Sequence, residues 1–303
     1  MAEAGGGGFP LPPMRLRRSL LFVPGSTPAR IPKAVASGAD GVILDLEDAV
    51  PPPRKEAARA AIVAALRAVE FRGRERIVRV NALDTPWGAD DLAAVVPAVP
   101  DALVLPKVSA VEDVTQADAE VSRLERAAGL VAGTVRFHLL VETVTGILDA
   151  RELARSSPRN AALLYGAGDL VRETRGRLVP SRATELYALS HVLFAARAAG
   201  LDAIDSPCFT LDDAAGLEAH TRFGAELGYD GKAVIHPKQV EVANRLFSPS
   251  AEAIAEARQT LEAYAQAQAA GAGALALEGR FIDAVHVTTA RETLARARLA
   301  GLA

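Results

Sequence analysis

The sequence predicts an α/β protein, a (β/α)8 TIM barrel with a C-terminal helical appendage, on three observations. Short apolar runs alternate eight times with segments of helical periodicity between residues 19 and 247, which is the pattern of a parallel sheet. No Asn-Gly or similar hairpin signal joins neighbouring strands, so each return must run through a helix. The 303 residues hold the roughly 250 of one such barrel and leave a segment over. No G-x-G-x-x-G follows the first strand, which disfavours a doubly wound dinucleotide fold.

The elements follow in order. Ser19–Pro24 (SLLFVP) is apolar throughout and closed by Pro24-Gly25, as suits a strand buried on both faces. Pro28–Ala36 reads as a short helix. Gly41–Leu46 (GVILDL) is the second strand, and Arg54–Val69 is an Ala-rich helix with apolar residues at helical spacing. Arg76–Val80 is a strand and Gly88–Val96 a helix. Ala102–Leu105 is a strand stopped by Pro106, before a long helix over Val111–Leu130. Val135–Val141 is a strand and Gly146–Arg155 a helix. Ala161–Tyr165 is a strand ending at Gly166, and Arg182–Ala199 is a helix that Gly200 closes. Ala203–Ile204 is a short strand and Leu211–Leu227 a helix. Lys232–Ile235 is the last strand, with Pro237–Leu246 helical after it. Beyond Phe247 come a long Ala/Gln/Glu-rich helix (Ala251–Ala270), a Gly271-Ala272-Gly273 link and a final helix over Thr288–Leu299. Three stretches result: a Gly/Pro-rich flexible tail (1–14), the barrel (15–247) and the appendage (248–303).

Composition excludes several classes. Thirty-four Lys and Arg against 37 Asp and Glu give a net charge of −3, so no global basic field argues for nucleic acid. The single cysteine, Cys208, excludes a disulfide framework or a Cys-rich zinc site. No stretch approaches the roughly 20 apolar residues of a membrane helix, and the N-terminus lacks the apolar core of a secretory signal. A soluble, cytoplasmic protein is expected.

In a barrel, chemistry sits where the strands end. The second strand ends in Asp45, Glu47 and Asp48, the third in Arg79 and Asn81. Lys107 follows the fourth and Glu142 the fifth. Asp169 follows the sixth, Asp205 ends the seventh and His236 follows the eighth. Carboxylates with no cysteine and one nearby histidine favour a hard cation such as Mg2+, with Mn2+ as a substitute. Glu142 and Asp169, on adjacent strand ends, are the natural ligand pair. Asp45, Glu47 and Asp48 are expected to support them by holding Lys107 or metal-bound water. Arg79 can bind a carboxylate or an enolate oxygen. Arg30 and Lys33, after the Pro24–Pro28 loop, suit a phosphate-bearing ligand, and Lys232 and Lys238 can add positive charge nearby. His138 reads as a core residue; His191, His220 and His286 fall on helices and receive no role.

Several segments match one family. Arg18–Ser26 (RSLLFVPGS), Leu44–Val50 (LDLEDAV), Arg79–Asn81 (RVN), Leu105–Lys107 (LPK), Val141–Thr143 (VET), Gly166–Asp169 (GAGD), Gly231–Gln239 (GKAVIHPKQ) and Gly279–Asp283 (GRFID) resemble the citrate lyase β-subunit-like family, with its malyl-CoA and citramalyl-CoA lyases, in the HpcH/HpaI aldolase superfamily. The match runs from about residue 17 to the C-terminus. The resemblance implies a barrel assembled as a trimer or a hexamer. It implies Mg2+ on Glu142 and Asp169, and Arg79 at the thioester or enolate oxygen. CoA would lie across the barrel mouth near Phe22, Lys33, Ile235, His236 and Pro237. Asp283 would be an acid/base delivered to the active site of a neighbouring subunit. The short Arg172–Pro180 stretch departs from the larger malyl-CoA lyases, and Ile204–Pro207 looks more like the free-standing CoA-ester lyases.

The expected activity is Mg2+-dependent carbon–carbon cleavage of a short β-hydroxyacyl-CoA to an acyl-CoA and a 2-oxo acid. The rivals are a citryl-carrier lyase subunit of a citrate lyase complex, a pyruvate-type aldolase that uses no CoA, and a non-catalytic assembly subunit.

Overall fold

In a computed structural model, which describes residues 15–303, eight parallel strands close into a barrel in sequence order. They are β1 (Ser19–Pro24), β2 (Gly41–Asp45), β3 (Glu75–Arg79), β4 (Ala102–Leu105), β5 (Arg136–Val141), β6 (Asn160–Tyr165), β7 (Asp202–Asp205) and β8 (Gly231–Val234). β1 closes the ring on β8, with Leu20 opposite Ala233. The flexible tail expected over residues 1–14 lies outside the described residues.

Alternation of side chains along each strand decides what fills the barrel. Leu20, Ile43, Ile77, Ala102, Val104, Leu140, Ala162, Leu164, Ile204 and Ala233 pack together as the interior, with Phe22 against them. The residues between them, such as Leu21, Val42, Val78 and Leu163, are equally buried but point to the helical shell. At the N-terminal end, charges take over from the apolar layers. Arg17 forks onto Glu75 at 2.7 and 2.8 Å and reaches Asp202, while the wholly buried His138 lies 3.5 Å from Glu75. This is the stability end of such a barrel.

The shell helices of the first half are α1 (Ile31–Val35), α2 (Lys55–Ala68), α3 (Gly88–Val95) and α4 (Val111–Ala127). The helix expected over Gly146–Arg155 is two, α5 (Val144–Leu148) and α6 (Ala150–Arg155), divided at Asp149. α7 (Ala167–Thr174) starts at the exit of β6. The next helix was expected from Arg182, yet α8 is Leu186–Ala198. Arg182 has φ of +56°, and its buried guanidinium forks onto Asp205 at 2.7 and 2.8 Å. That ion pair outweighs local helix propensity. α9 (Ala214–Leu227) and α10 (Val240–Leu246) complete this part of the chain.

The chain divides into two compact units, Arg17–Asn244 and Arg245–Ala303, the second also taking in the short stretch before Arg17. In the second, α11 (Ala251–Ala269) and α12 (Ala284–Leu299) pack through Ile254, Ala257, Ala290, Leu294 and Ala297. Between them lies an antiparallel hairpin of β9 (Leu275–Leu277) and β10 (Arg280–Ile282), where a plain glycine-rich link was expected. Its two-residue turn, Glu278-Gly279, has φ of +49° and +79°, the backbone that a tight hairpin requires. Ile282 packs on Tyr264 and Val287. No helix of the described residues is long and apolar enough to cross a membrane.

Candidate active site

The parity that fills the barrel also builds its mouth. Two residues beyond the inward-facing Ile43, Ile77, Leu140 and Leu164 stand Asp45, Arg79, Glu142 and Gly166, so these too face inward. Together with Phe22, Asp48, Asp169, Arg172, Phe209 and Ile235 they line a cavity of about 490 Å³.

Arg79 is the organising cation. Its Nε and Nη2 donate to the two Asp45 oxygens at 2.7 and 2.6 Å, and its Nη1 lies 3.1 Å from Glu47. The guanidinium sits 4.9 Å from the centre of the Phe22 ring. Burial opposes its charge, but the Asp45 and Glu47 carboxylates hold its pKa above the ordinary arginine value. Lys107 has φ of +52°, a backbone that a lysine adopts only where surroundings enforce it. There its amide donates to Glu142 Oε1 at 3.1 Å, while its ammonium bridges Glu47 and Asp48. Glu47 and Asp48 thus hold Lys107, whereas Asp45 holds Arg79 instead.

Glu142 is buried, and its carboxyl is pushed up to about 8, by burial first and by the charge of Asp169 second. Gly166 makes room for it: a Cβ there would lie 2.4 Å from that of Glu142. Asp169, in the first turn of α7, pairs with the exposed Arg172 at 2.7 Å. Arg79 and Lys107 thus hold Asp45, Glu47 and Asp48, with the buried Lys55 ammonium close by, while Glu142 is met by the Lys107 amide. Among the described residues no three His, Cys, Asp or Glu side chains converge as a metal set. Two carboxylates with the other positions left to water and substrate oxygens is an ordinary arrangement for Mg2+.

Other expected residues fall outside the cavity. Arg30 and Lys33 are exposed on the 3-10 turn Pro28–Arg30 and on α1. His236 caps the turn Pro237–Gln239, its Nδ1 accepting from the Lys238 amide at 3.1 Å. Glu47 and Lys107 line a neighbouring cavity of about 750 Å³ that also contains Asp48. Two expectations need correction. Asp205 follows the inward-facing Ile204, so it points into the helical shell, where it binds Arg182. Lys232 adds no charge at the mouth: it is fully buried and bonds Asp205 Oδ2 at 2.7 Å. Arg172, Tyr165 and Phe209 line the cavity without having been anticipated; Arg172 was legible, three residues after Asp169 on one helix face. In the second unit, Asp283 is the N-cap of α12. Its Oδ1 accepts from the Val285 amide at 2.9 Å and lies 2.8 Å from His286 Nδ1, a contact that lowers its pKa.

Comparison with known proteins decides the family. Residues 18–237 match the model of the HpcH/HpaI aldolase/citrate lyase family. The chain belongs to that family. Among curated relatives of this family, a (3S)-malyl-CoA thioesterase of Cereibacter sphaeroides is 39% identical over 280 residues, 92% of this chain and 94% of the relative. Citrate lyase subunit beta of Escherichia coli K12 is 36% identical over 288 residues, 95% of each chain. Among solved structures, Mycobacterium tuberculosis CitE in complex with magnesium, acetoacetate and coenzyme A superposes with a TM-score of 0.75 at 33% identity, covering 92% of this chain and 97% of that one. RipC of Yersinia pestis gives 0.66 at 30% identity, covering 78% and 97%. The barrel is thus the fold of the citrate lyase β relatives, and the family's named members are enzymes.

Proposed function

We propose that the chain is a Mg2+-dependent carbon–carbon lyase that cleaves a short β-hydroxyacyl-CoA, such as malyl-CoA or citramalyl-CoA, to an acyl-CoA and a 2-oxo acid. The observation that carries this reading is one cavity that holds both the undercompensated Glu142–Asp169 pair and the braced Arg79. Glu142 and Asp169 would hold the cation, which would supply Lewis-acid activation of the substrate's hydroxyl.

The chain's own groups do the remaining work. As a base takes the hydroxyl proton and the carbinol carbon becomes the carbonyl of the 2-oxo acid, the bond from it to the α-carbon breaks, its electron pair passes to the acyl fragment and negative charge reaches the thioester oxygen. Arg79 stabilises that oxygen, and because Asp45 and Glu47 already fix its guanidinium, little reorganisation is needed. Asp283 of a neighbouring subunit in a trimer or hexamer returns a proton to the enolate carbon. Phe22, Arg30, Lys33, Ile235, His236 and Pro237 flank the CoA moiety. A second reading has specific support: the thioesterase name carried by a relative 39% identical favours hydrolysis of the thioester itself. The citrate lyase relative favours an acyl-carrier substrate in place of CoA.

One assay separates these. Free hydroxyacyl-CoA esters are supplied with Mg2+ and no partner protein, and thioester and 2-oxo acid are followed together. A 2-oxo acid formed with the thioester retained is the expected result. Loss of thioester to the free hydroxy acid means hydrolysis, and no turnover until a carrier protein is added means a citrate lyase subunit. Chelator should abolish turnover, and Mg2+ or Mn2+ should restore it. Asp283→Asn should lower turnover by about 10²–10⁴-fold, the usual range for a general acid/base. Mixing Asp283→Asn with Glu142→Gln chains should regain activity if subunits share the site; wild-type turnover in Asp283→Asn removes the acid/base role.

A further inference from the structure

Beside the cavity that holds Glu142 and Asp169 lies a smaller chamber of about 230 Å³. The two share Ala167, Pro207 and Phe209 as lining. Phe209 is 49% exposed although it stands between two cavities. Its ring tip lies 3.5 Å from where a Cβ on Gly168 would be, next in the chain to Asp169.

The lining of this chamber is more apolar than polar. Leu178, Pro180 and Ala219 supply apolar wall. Of its acidic groups, Glu185 pairs with Arg182 at 3.2 Å, and the exposed Asp213 caps α9 through the Gly216 amide at 2.8 Å. His220 is held as a neutral ring, because Nδ1 lies 2.8 Å from the buried Lys232 ammonium and accepts from it. Burial and that neighbouring charge also keep its pKa down at about 3. Such a wall favours hydrocarbon over a cation or a second carboxylate.

We propose that Phe209 limits the length of the side chain on the carbinol carbon of the substrate, by standing between the active-site cavity and this chamber. The inference rests on the lyase reading. On that reading the hydroxy-acid end of the substrate would lie beside Asp169, next in the chain to Gly168, and its substituent would be the group that meets the ring. A hydrogen or a methyl stops short of Phe209; an ethyl or propyl group must displace it.

The test runs the reaction in the condensation direction, with acetyl-CoA and 2-oxo acids of growing side chain: glyoxylate, pyruvate, 2-oxobutyrate and 2-oxovalerate. Native enzyme should lose kcat/KM at each step beyond pyruvate. Phe209→Ala should raise the ratio for 2-oxovalerate over pyruvate by about tenfold or more, the discrimination one or two methylenes afford. Phe209→Leu should give a smaller rise. Ala219→Phe added to Phe209→Ala should refill the chamber and reverse the gain. Calorimetric affinities of the Mg2+-loaded proteins for the same acids should follow the same order. An unchanged ratio in both Phe209 variants, with native turnover of pyruvate intact, overturns the inference. A gain that survives Ala219→Phe also overturns it, since the space used then lies elsewhere. Native protein that condenses none of the acids removes the lyase reading itself, a distinct result.

Discussion

Two charged clusters in the same barrel are built on opposite terms. Behind β7 and β8, Asp205 takes three donors from Arg182 and Lys232 at 2.7–2.8 Å, and Glu185 takes a fourth at 3.2 Å. Two cations meet two anions, all buried. Burial alone would raise the Asp205 carboxyl, yet Lys232 and Arg182 hold it well below the usual carboxylate range. At the mouth, Arg79 and Lys107 hold Asp45, Glu47 and Asp48, while Glu142 is met by the Lys107 amide and its carboxyl is raised to about 8, by burial first and by Asp169 second. A cluster that only holds the fold neutralises its own charge, because a buried unpaired ion costs several kcal/mol. A cluster left short of positive charge must be completed by something that binds, and perturbed pKa values gather at such places.

The comparison can be broken, and the largest effect should come from the mouth. Arg79→Gln should lower kcat by about 10²–10³-fold, the loss seen on removing one donor to a developing oxyanion, and should also lower the melting temperature, since it strands the buried Asp45 carboxylate. Glu142→Gln should abolish Mg2+ binding by calorimetry while leaving stability equal or higher, since burial already favours an uncharged group at that position. Behind β7 the order should invert. Asp205→Asn strands Arg182 and Lys232 and should cost about 3–5 kcal/mol in denaturant unfolding. If Asp205→Asn is neutral and Glu142→Gln unfolds the protein, the two clusters have been assigned the wrong way round.

Protons sharpen the contrast. Metal-free native protein keeps a proton on Glu142 up to about 8, whereas the unfolded chain releases it near the ordinary glutamate pKa. The native state therefore binds more protons in that window, and its stability should fall as pH rises from about 4.5 to 8. Mg2+ must displace that proton below about pH 8, so its affinity should rise with pH and level off above it. Melts in chelator and Mg2+ titrations between about pH 6 and 9 check both signs; affinity that is flat with pH would mean that Glu142 is already ionised. The smallest effect should be at Lys33. Lys33→Ala should raise KM for the CoA ester by about two- to fivefold at low salt with kcat unchanged, as suits an exposed charge. An unchanged KM makes it a surface lysine.

Much of this was legible before the fold was known. The apolar runs and their spacing specify eight strands, because a strand covered on both faces must be apolar throughout. The candidate ligands Glu142 and Asp169 and the braced Arg79 follow from their place at strand ends. The reading went wrong where direction mattered. Asp205 also ends a strand, whereas Lys232 lies near the start of β8, and both are one step out of phase with the barrel interior. The alternation of inward residues contained that answer once the interior set was known.

What the sequence by itself determined is therefore the list of elements, their parallel order and the pool of polar residues at one end. These depend on local periodicity and on where apolar runs stop. What only the tertiary structure decided is which of those residues share a space. The left-handed backbone of Lys107, the Arg182–Asp205 pair that delays α8, the hairpin at Glu278-Gly279 and the place of Phe209 between two chambers all arise from contacts between segments far apart in the chain or from backbone angles that no pattern records. Burial and charge act through distance in space, and spacing along the chain does not fix that distance until the barrel has closed.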